Sequence, residues 1–208
     1  MTWASCFLFR PESNGVGVTW KTLATISFVI TLATIAGRFN AHAGSEVALP
    51  TEYQVKAAYL CNFPKFVEWP GSVHGDDQAS ITMGILGEDP FGGALEPVQG
   101  KRVAGRKMVT KYFEKLDQLE KCHIVFVSRS EKERLSEILR KIGNWNALTI
   151  SDIENFAERG GVIGFISLEH KIHFAINVDA AERMGLKISS KLLRLAKIVE
   201  DEEKEAEQ

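Results

Sequence analysis

The stretch that decides the fold is residues 160–178, GGVIGFISLEHKIHFAINV, in the last third of the chain. Apolar, β-branched and aromatic residues dominate positions 162–168 and 171–178, which predicts two strands. Only Glu169 and His170 separate these strands, so they must pair as a hairpin. The hairpin therefore contributes an antiparallel pair to the sheet that the rest of the chain builds.

Four further strands are predicted before the hairpin, at residues 81–86, 107–113, 122–127 and 147–150. The segment 122–127 carries no charge and does not alternate, which is typical of a central strand covered on both faces. Helical segments alternate with these strands. The sequence thus predicts an α/β single-domain sandwich with a mainly parallel mixed sheet, a C-terminal antiparallel hairpin and flanking helices.

Two capping-box patterns mark predicted helix starts. Thr51 with Gln54 opens the first helix, and Ser130 with Glu133 precedes an amphipathic helix. The inward face of that helix is expected to carry Leu135, Ile138, Leu139 and Ile142.

Three more helices are predicted from weaker signals. Asp89 and Pro90 have the residue types of an N-cap and a first helical position, and Ser151 or Asp152 is expected to cap a brief helix through Phe156. A last helix is predicted from about Ser190. Its buried face is expected to consist of Leu192, Leu195, Ala196 and Val199.

The start of the chain has the layout of a cleaved secretory signal. Lys21 precedes an uncharged run of 16 residues, 22–37, and Ala41-His42-Ala43 supplies a small-x-small cleavage site. The run is shorter than the roughly 20 residues that span a membrane, although an uncleaved anchor stays as the alternative. We therefore expect residues 1–43 to be removed and residues 44–208 to form one exported domain without a membrane-inserted segment.

Cleavage would leave 22 basic and 26 acidic side chains, a formal net charge of −4. The whole excess lies in the acidic tail, residues 201–208, which holds five acids and one lysine. The remaining body is balanced in charge. This balance argues against a face that binds nucleic acid or an anionic membrane.

No pattern of residues predicts catalysis, a metal or a cofactor. The segment Gly87–Gly93 follows a strand but matches no phosphate-binding motif, and its two acids would repel a phosphate. His74, His123, His170 and His173 lack the spacings of zinc ligands. There is no G-x-S-x-G elbow, and adjacent Cys122 and His123 point in opposite directions along a strand. We therefore expect a non-enzymatic protein.

Cys61 and Cys122 are the two cysteines that remain after cleavage. An oxidising compartment permits a disulfide between them. A bond would require the Cα atoms to lie about 4.4–6.8 Å apart, and two buried thiols are the favoured alternative.

An aromatic group surrounds a predicted break in the first helix. Pro64 cannot donate the helical hydrogen bond to Leu60, so a kink or a new turn is expected. Phe63, Phe66 and Trp69 follow at this bend. Burial in the core is their favoured role, and an exposed partner patch is the alternative.

Five blocks of this sequence resemble the YfiR family and run in that family's order. They are residues 53–70, YQVKAAYLCNFPKFVEWP, residues 85–92, ILGEDPFG, residues 122–127, CHIVFV, residues 160–178, quoted above, and residues 185–196, GLKISSKLLRLA. Two departures are notable. The family more often has an aromatic residue at the position of Cys61 and an alanine at that of Pro64. Some members also carry a cysteine near Met83 or Gly84, so the resemblance implies that any disulfide here involves Cys61 instead.

The resemblance implies a secreted α/β regulator. Such proteins are similar to periplasmic repressors that hold the periplasmic domain of an inner-membrane diguanylate cyclase inactive, which lowers cyclic di-GMP and biofilm formation. Redox state or a small-molecule ligand is expected to tune this binding, and a homo-oligomer is compatible with it. The alternative functions are a ligand-capturing accessory protein of an outer-membrane receptor or sensor kinase, and an unrecognised hydrolase.

Overall fold

A computed structural model of the chain describes residues 50–70, 80–169 and 171–201. The predicted signal segment 1–43, His74, His170 and tail residues 202–208 lie outside the described residues.

Short helices and strands alternate along the described chain. The α-helices are α1 (Glu52–Asn62), α2 (Leu135–Ile142), α3 (Val178–Arg183) and α4 (Ser190–Leu193). Short 3₁₀ helices cover Phe63–Phe66, Gly92–Leu95, Leu116–Gln118 and Arg129–Arg134. The strands are β1 (Val67–Glu68), β2 (Ser80–Leu86), β3 (Arg102–Val103), β4 (Arg106–Phe113), β5 (Ile124–Val127), β6 (Leu148–Ser151), β7 (Ile163–Leu168), β8 (Lys171–Asn177), β9 (Lys187–Ile188) and β10 (Lys197–Val199).

The main sheet has eight strands in the order β10-β8-β7-β6-β5-β2-β4-β3. Its neighbouring strands run parallel except in the pairs β7–β8 and β3–β4. Strands β1 and β9 form a separate antiparallel pair. The predicted fold class is therefore confirmed: a mainly parallel mixed sheet with an antiparallel hairpin towards its C-terminal side and helices around it.

Strand β5 lies at the centre of the core, as its uncharged sequence predicts. Its four residues are completely buried, and all four residues of its neighbour β6 are buried as well. In the β7–β8 hairpin, Phe165 lies opposite Phe174. Both rings pack against Phe63 from the bend after α1. This aromatic contact fixes α1 against the hairpin.

Only one of the two predicted capping boxes forms. Thr51 accepts a hydrogen bond from the Gln54 amide, and the Gln54 side chain accepts one from the Thr51 amide. The prediction for Ser130 is wrong, because its hydroxyl accepts the Glu88 amide instead and the chain enters α2 through a 3₁₀ helix. The predicted inward face of α2 is correct for Leu135, Ile138 and Ile142, and Leu139 is half-buried.

Two predicted helix caps are turns in the structure. Asp89 accepts a hydrogen bond from the Phe91 amide, which closes a turn, and a short 3₁₀ helix begins only at Gly92. Ser151 likewise accepts the Ile153 amide, and residues 153–159 form turns, not a helix. Short side chains that bond an amide two residues ahead stabilise such turns.

The predicted last helix is wrong beyond its first turn. Ser189 caps α4 by accepting the Lys191 amide, but α4 ends at Leu193. Residues 197–199 instead form β10, which pairs in parallel with β8. Leu195 is 72% exposed, so it is not a core residue. The apolar residues at 192–199 suit both a helix and a strand, and the open edge of β8 favours the strand.

Gly161 lies where two segments approach closely. A Cβ atom at this position would lie 2.1–2.6 Å from ring atoms of Phe156, which is almost completely buried. The turn at 153–159 can therefore pack on the sheet only because residue 161 lacks a side chain.

Candidate functional site

The strands β5 and β6 end side by side at one edge of the sheet. Ser128 and Arg129 follow β5, and Asp152 follows β6. The crevice beyond the carboxyl ends of parallel strands is where ligands bind in open α/β sheets. The side chains gathered there are therefore candidates for a functional site.

A buried ion pair joins α1 to this edge. The Lys56 ammonium lies 2.7 Å from Oδ2 of Asp152, and each side chain is only 1% exposed. Tyr53 donates a hydrogen bond of 2.9 Å to the same carboxylate oxygen. Glu52 lies 2.6 Å from the Lys56 ammonium. Helical spacing places Glu52, Tyr53 and Lys56 on one side of α1, so all three can reach the sheet edge.

Arg129 completes this group, which we call the anchor cluster: Glu52, Tyr53, Lys56, Arg129 and Asp152. The Nε–H of Arg129 donates to the backbone carbonyl of Asp152 over 3.1 Å and lies 3.4 Å from its Oδ2. The other carboxylate oxygen, Oδ1, is buried and has no hydrogen-bond partner among the described residues. The cluster has no net formal charge, which suits its burial.

The cluster shifts the titration of two of its members. The hydrogen bond from Lys56 lowers the pKa of Glu52 despite partial burial. Burial, followed by the hydrogen bond and the negative charge of Asp152, raises the pKa of Tyr53 to about 12. Both directions favour the state seen here, in which a neutral phenol and a charged Glu52 meet the buried pair.

Substitution of Tyr53 is expected to reveal a pH-dependent contribution to stability. The pKa of Tyr53 is above its ordinary value of 10.0 in the folded state, so its contribution is complete below pH 10 and is lost as the pH rises through about 12. Tyr53→Phe should therefore be less stable than the wild type at pH 8, and this difference should shrink between pH 10 and pH 12. Urea unfolding at each pH measures the difference, and a constant difference would contradict the assigned shift.

A cavity of about 590 Å³ lies beside the anchor cluster. Arg129 and Asp152 line one side, Gly164 and Ala175 on the hairpin line another, and Lys197 lines a third. Lys197 lies 3.7 Å from Glu158, which also lines the cavity. This lining could hold a small polar molecule.

The described histidines do not form a site. His123 is buried, and its Nδ1 accepts a hydrogen bond from the Thr82 amide over 3.1 Å while its Nε2 lies 2.8 Å from an Arg106 nitrogen. His173 is exposed on β8. Among the described residues, no group of three or more His, Cys, Asp or Glu side chains could hold a metal ion.

Both candidate cysteines are free thiols in the structure. Cys61 is half-buried on α1, whereas Cys122 is fully buried before β5, beside Gly84 and Phe113. Burial raises the pKa of Cys122 to about 11. The Cys61–Cys122 disulfide stays a prediction.

The three aromatic residues at the bend differ in their burial. Phe63 is 1% exposed and belongs to the core. Phe66 and Trp69 are half-buried and pack against that core, so each keeps some exposed surface. A partner patch at this bend, which is still a prediction, would therefore depend on Phe66 and Trp69.

Sequence reasoning missed Lys56 and Asp152 as a pair. The signal for Lys56 was present, because it lies on the same face of α1 as the buried Ala57 and Leu60. Asp152 was interpreted only as a helix cap. Nothing in the sequence indicates that these two residues, 96 positions apart, meet.

No helix in residues 50–70, 80–169 and 171–201 is long and apolar enough to cross a membrane.

Comparisons with known proteins identify a family and a similar solved structure. The model of a family described as YfiR/HmsC-like matches residues 53–197. A search of curated proteins found no match. Among solved structures, the chain is similar to a conserved domain protein from Vibrio cholerae O1 biovar El Tor strain N16961, with a TM-score of 0.48 and 11% identity. That match covers 71% of this chain and 60% of the other, so this chain spans less than two thirds of that structure.

Proposed function

The chain belongs to the YfiR/HmsC-like family, and on that premise we propose that it binds and restrains the periplasmic domain of an inner-membrane signalling protein, most directly a diguanylate cyclase. The family is known as periplasmic regulators in cyclic di-GMP signalling, and it is regulatory, not catalytic. The observation that carries the proposal is the family match over residues 53–197, which includes every strand of the main sheet except the last two residues of β10.

Restraint of this kind needs no chemistry. A regulator that prefers the inactive conformation of its partner shifts the partner towards that conformation by its difference in affinity for the two. A preference of about 3 kcal/mol changes the ratio of the two states by more than a hundredfold. A rigid α/β body with one binding surface is sufficient.

The binding surface is proposed to include the bend after α1. Phe66 and Trp69 keep exposed surface there, and the Phe66 carbonyl accepts the Ser189 amide. The bend is therefore tied to the segment that begins α4. Large aromatic side chains at the centre of an interface often dominate its binding energy.

The cavity beside the anchor cluster supports an alternative function. About 590 Å³ is enough space for a small metabolite. In that alternative, the protein captures a ligand for an outer-membrane receptor or a sensor kinase. A purified protein that binds a small molecule and leaves cyclic di-GMP unchanged would favour it.

Deletion of the gene is expected to raise the cellular level of cyclic di-GMP. Expression of the wild-type protein in the deletion strain should return this level to that of the parent strain. The Trp69→Ala variant should lower cyclic di-GMP much less than the wild-type protein does. The reason is that loss of a central tryptophan weakens an interface by about 2 kcal/mol, or roughly thirtyfold in affinity. Cyclic di-GMP in cell extracts, with immunoblots for abundance, measures both effects. The complementing protein should be found in the periplasm with Gly44 as its first residue.

Trp145→Ala is the matched control, because Trp145 is also half-buried and packed against the core. Loss of its ring also removes packing against the core, so the comparison separates a general loss of packing from an effect of Trp69 itself. Exposed His173→Ala should restore the wild-type level. If Trp69→Ala and Trp145→Ala give the same cyclic di-GMP level at equal abundance, Trp69 has no specific role in partner binding. If the deletion strain has an unchanged cyclic di-GMP level, the proposed function is wrong.

A further inference from the structure

A second cavity, of about 410 Å³, lies between α1 and the segment 93–103. We call it the basic groove. Three cationic side chains line it, Lys65 from the bend and Lys101 and Arg102 from the loop and strand β3, and none of the described lining residues is acidic. None of the three forms an ion pair with a described residue. Other cations of the fold, such as Lys56, Lys111 and Arg183, do have acidic partners.

The floor of the basic groove is apolar. It is formed by small and aliphatic side chains, namely Ala57, Ala58, Ala94, Pro97, Val98 and Val103. Cys61 also lines the groove, where its thiol is half-buried. Burial raises the pKa of this thiol, while the charges of Lys101 and Lys65 oppose that rise. Both cations therefore act at the same point on the floor.

The positive charge continues beyond the groove along the sheet edge. The hairpin that joins β3 to β4 has the sequence Lys101-Arg102-Val103-Ala104-Gly105-Arg106-Lys107. Arg106 is engaged with the Ser80 carbonyl and His123, but Lys107 is exposed and its side chain passes close to Gly100. Glu96 follows Ala94 and Leu95 and is an acid near the groove's end. The exposed cations Lys65, Lys101, Arg102 and Lys107 give this region a local excess of positive charge over the nearby Glu96. The balanced charge of the whole body conceals this excess.

We propose that the basic groove binds an anionic amphiphile, a phosphate or carboxylate group attached to an apolar chain. The three cations would hold the anionic head, and the aliphatic floor would cover the first part of the chain. No aromatic side chain lines the groove, so it offers no platform for stacking a nucleic-acid base. This inference does not depend on the identity of the signalling partner.

The chemistry fits two sources of the ligand, a membrane phospholipid and a free amphiphile such as a fatty acid. Cationic residues near an anionic membrane surface strengthen binding additively and in a salt-dependent way. A free amphiphile would bind one molecule at a time without requiring a bilayer. The two sources are separated by comparing vesicles with monomeric ligands.

Cys61 provides a reporter inside the groove, because its thiol is half-buried while that of Cys122 is fully buried. The exported protein, kept reduced, is alkylated with iodoacetamide, and the modification of Cys61 is followed by peptide mass spectrometry. Octyl phosphate or octanoate is expected to slow this alkylation at least fivefold if a free amphiphile binds. Phosphatidylglycerol vesicles should slow it if a bilayer is required, and phosphatidylcholine vesicles and inorganic phosphate should not.

Charge reversal separates a specific groove from general attraction. Lys101→Glu and Arg102→Glu together should weaken protection of Cys61 about tenfold or more. The matched control is Lys132→Glu combined with Lys191→Glu, which changes two exposed lysines outside the groove lining. In this variant the probes should still slow the alkylation of Cys61. Protection that is absent with every probe, or equal in both double variants, would overturn the proposal. Far-ultraviolet circular dichroism and the melting temperature verify that each variant is folded.

Discussion

Lys56→Met is expected to destabilise the protein by about 3–5 kcal/mol, because it leaves the buried carboxylate of Asp152 without its cation. The two charged groups are 2.7 Å apart and each side chain is 1% exposed, so water cannot replace the lost partner. Tyr53 and Arg129 would stay, but neither places a full charge as close to the carboxylate. Urea unfolding at pH 7 measures the change in the free energy of unfolding.

The double variant Lys56→Met/Asp152→Asn distinguishes a buried charge from lost packing. With the charge also removed, a large part of the lost stability should return, and the coupling energy between the sites should exceed about 1 kcal/mol. Lys111→Met is the surface control. Its pair with Glu120 is about half exposed on both sides, so its effect should stay below about 1 kcal/mol. Additive effects at positions 56 and 152 would show that the pair does not act as a unit.

Gly161→Ala is expected to destabilise the fold by about 1–3 kcal/mol through overpacking. The added methyl group would lie 2.1 Å from the nearest ring atom of Phe156, and that ring is held in the core. Either the ring or the turn at 153–159 must move. The turn carries Asp152 at its start, so the change should also disturb the anchor cluster. Thermal unfolding measures the loss.

Gly143→Ala is the matched control for this substitution. Its nearest contacts to an added Cβ would be 3.4 and 3.5 Å, and its φ of −49° is ordinary for any residue. It should leave the stability unchanged or raise it by less than about 1 kcal/mol. Phe156→Leu combined with Gly161→Ala should be more stable than expected from the two single changes. A stability of Gly161→Ala equal to that of the wild type would show that Phe156 moves without cost.

The sequence predicts the sheet better than it predicts the ends of its helices. Strand β5 and the β7–β8 hairpin follow from local patterns, because burial on both faces and a two-residue connection leave few alternatives. The caps at Asp89 and Ser130 fail for a different reason. Each side chain has several amides within reach, and the folded chain decides which one it binds.

The C-terminal segment and the anchor cluster depend on tertiary contacts. Residues 197–199 become a strand because β8 offers an open edge, although their pattern also fits a helix. Lys56 and Asp152 each look ordinary in the sequence, one as a polar position in a helix and the other as a cap. The net charge of the chain does not predict the basic groove either. Lys65 and Lys101 come together only when α1 packs beside the segment that leads into β3.

The bond between Lys56 and Asp152 also bears on the order in which the chain folds. It spans 96 residues, and the Tyr53–Asp152 bond spans 99, so these two contacts of α1 cannot form until β6 has been made and placed beside β5. Contacts of such long range close slowly, because the entropy of a long loop is lost before they form. Helix α1 is the first described element of the chain, and Phe63 at its end packs against Phe165 and Phe174 of the late β7–β8 hairpin. Until that hairpin forms, this aromatic surface lacks its native cover, and apolar surface exposed during folding favours aggregation.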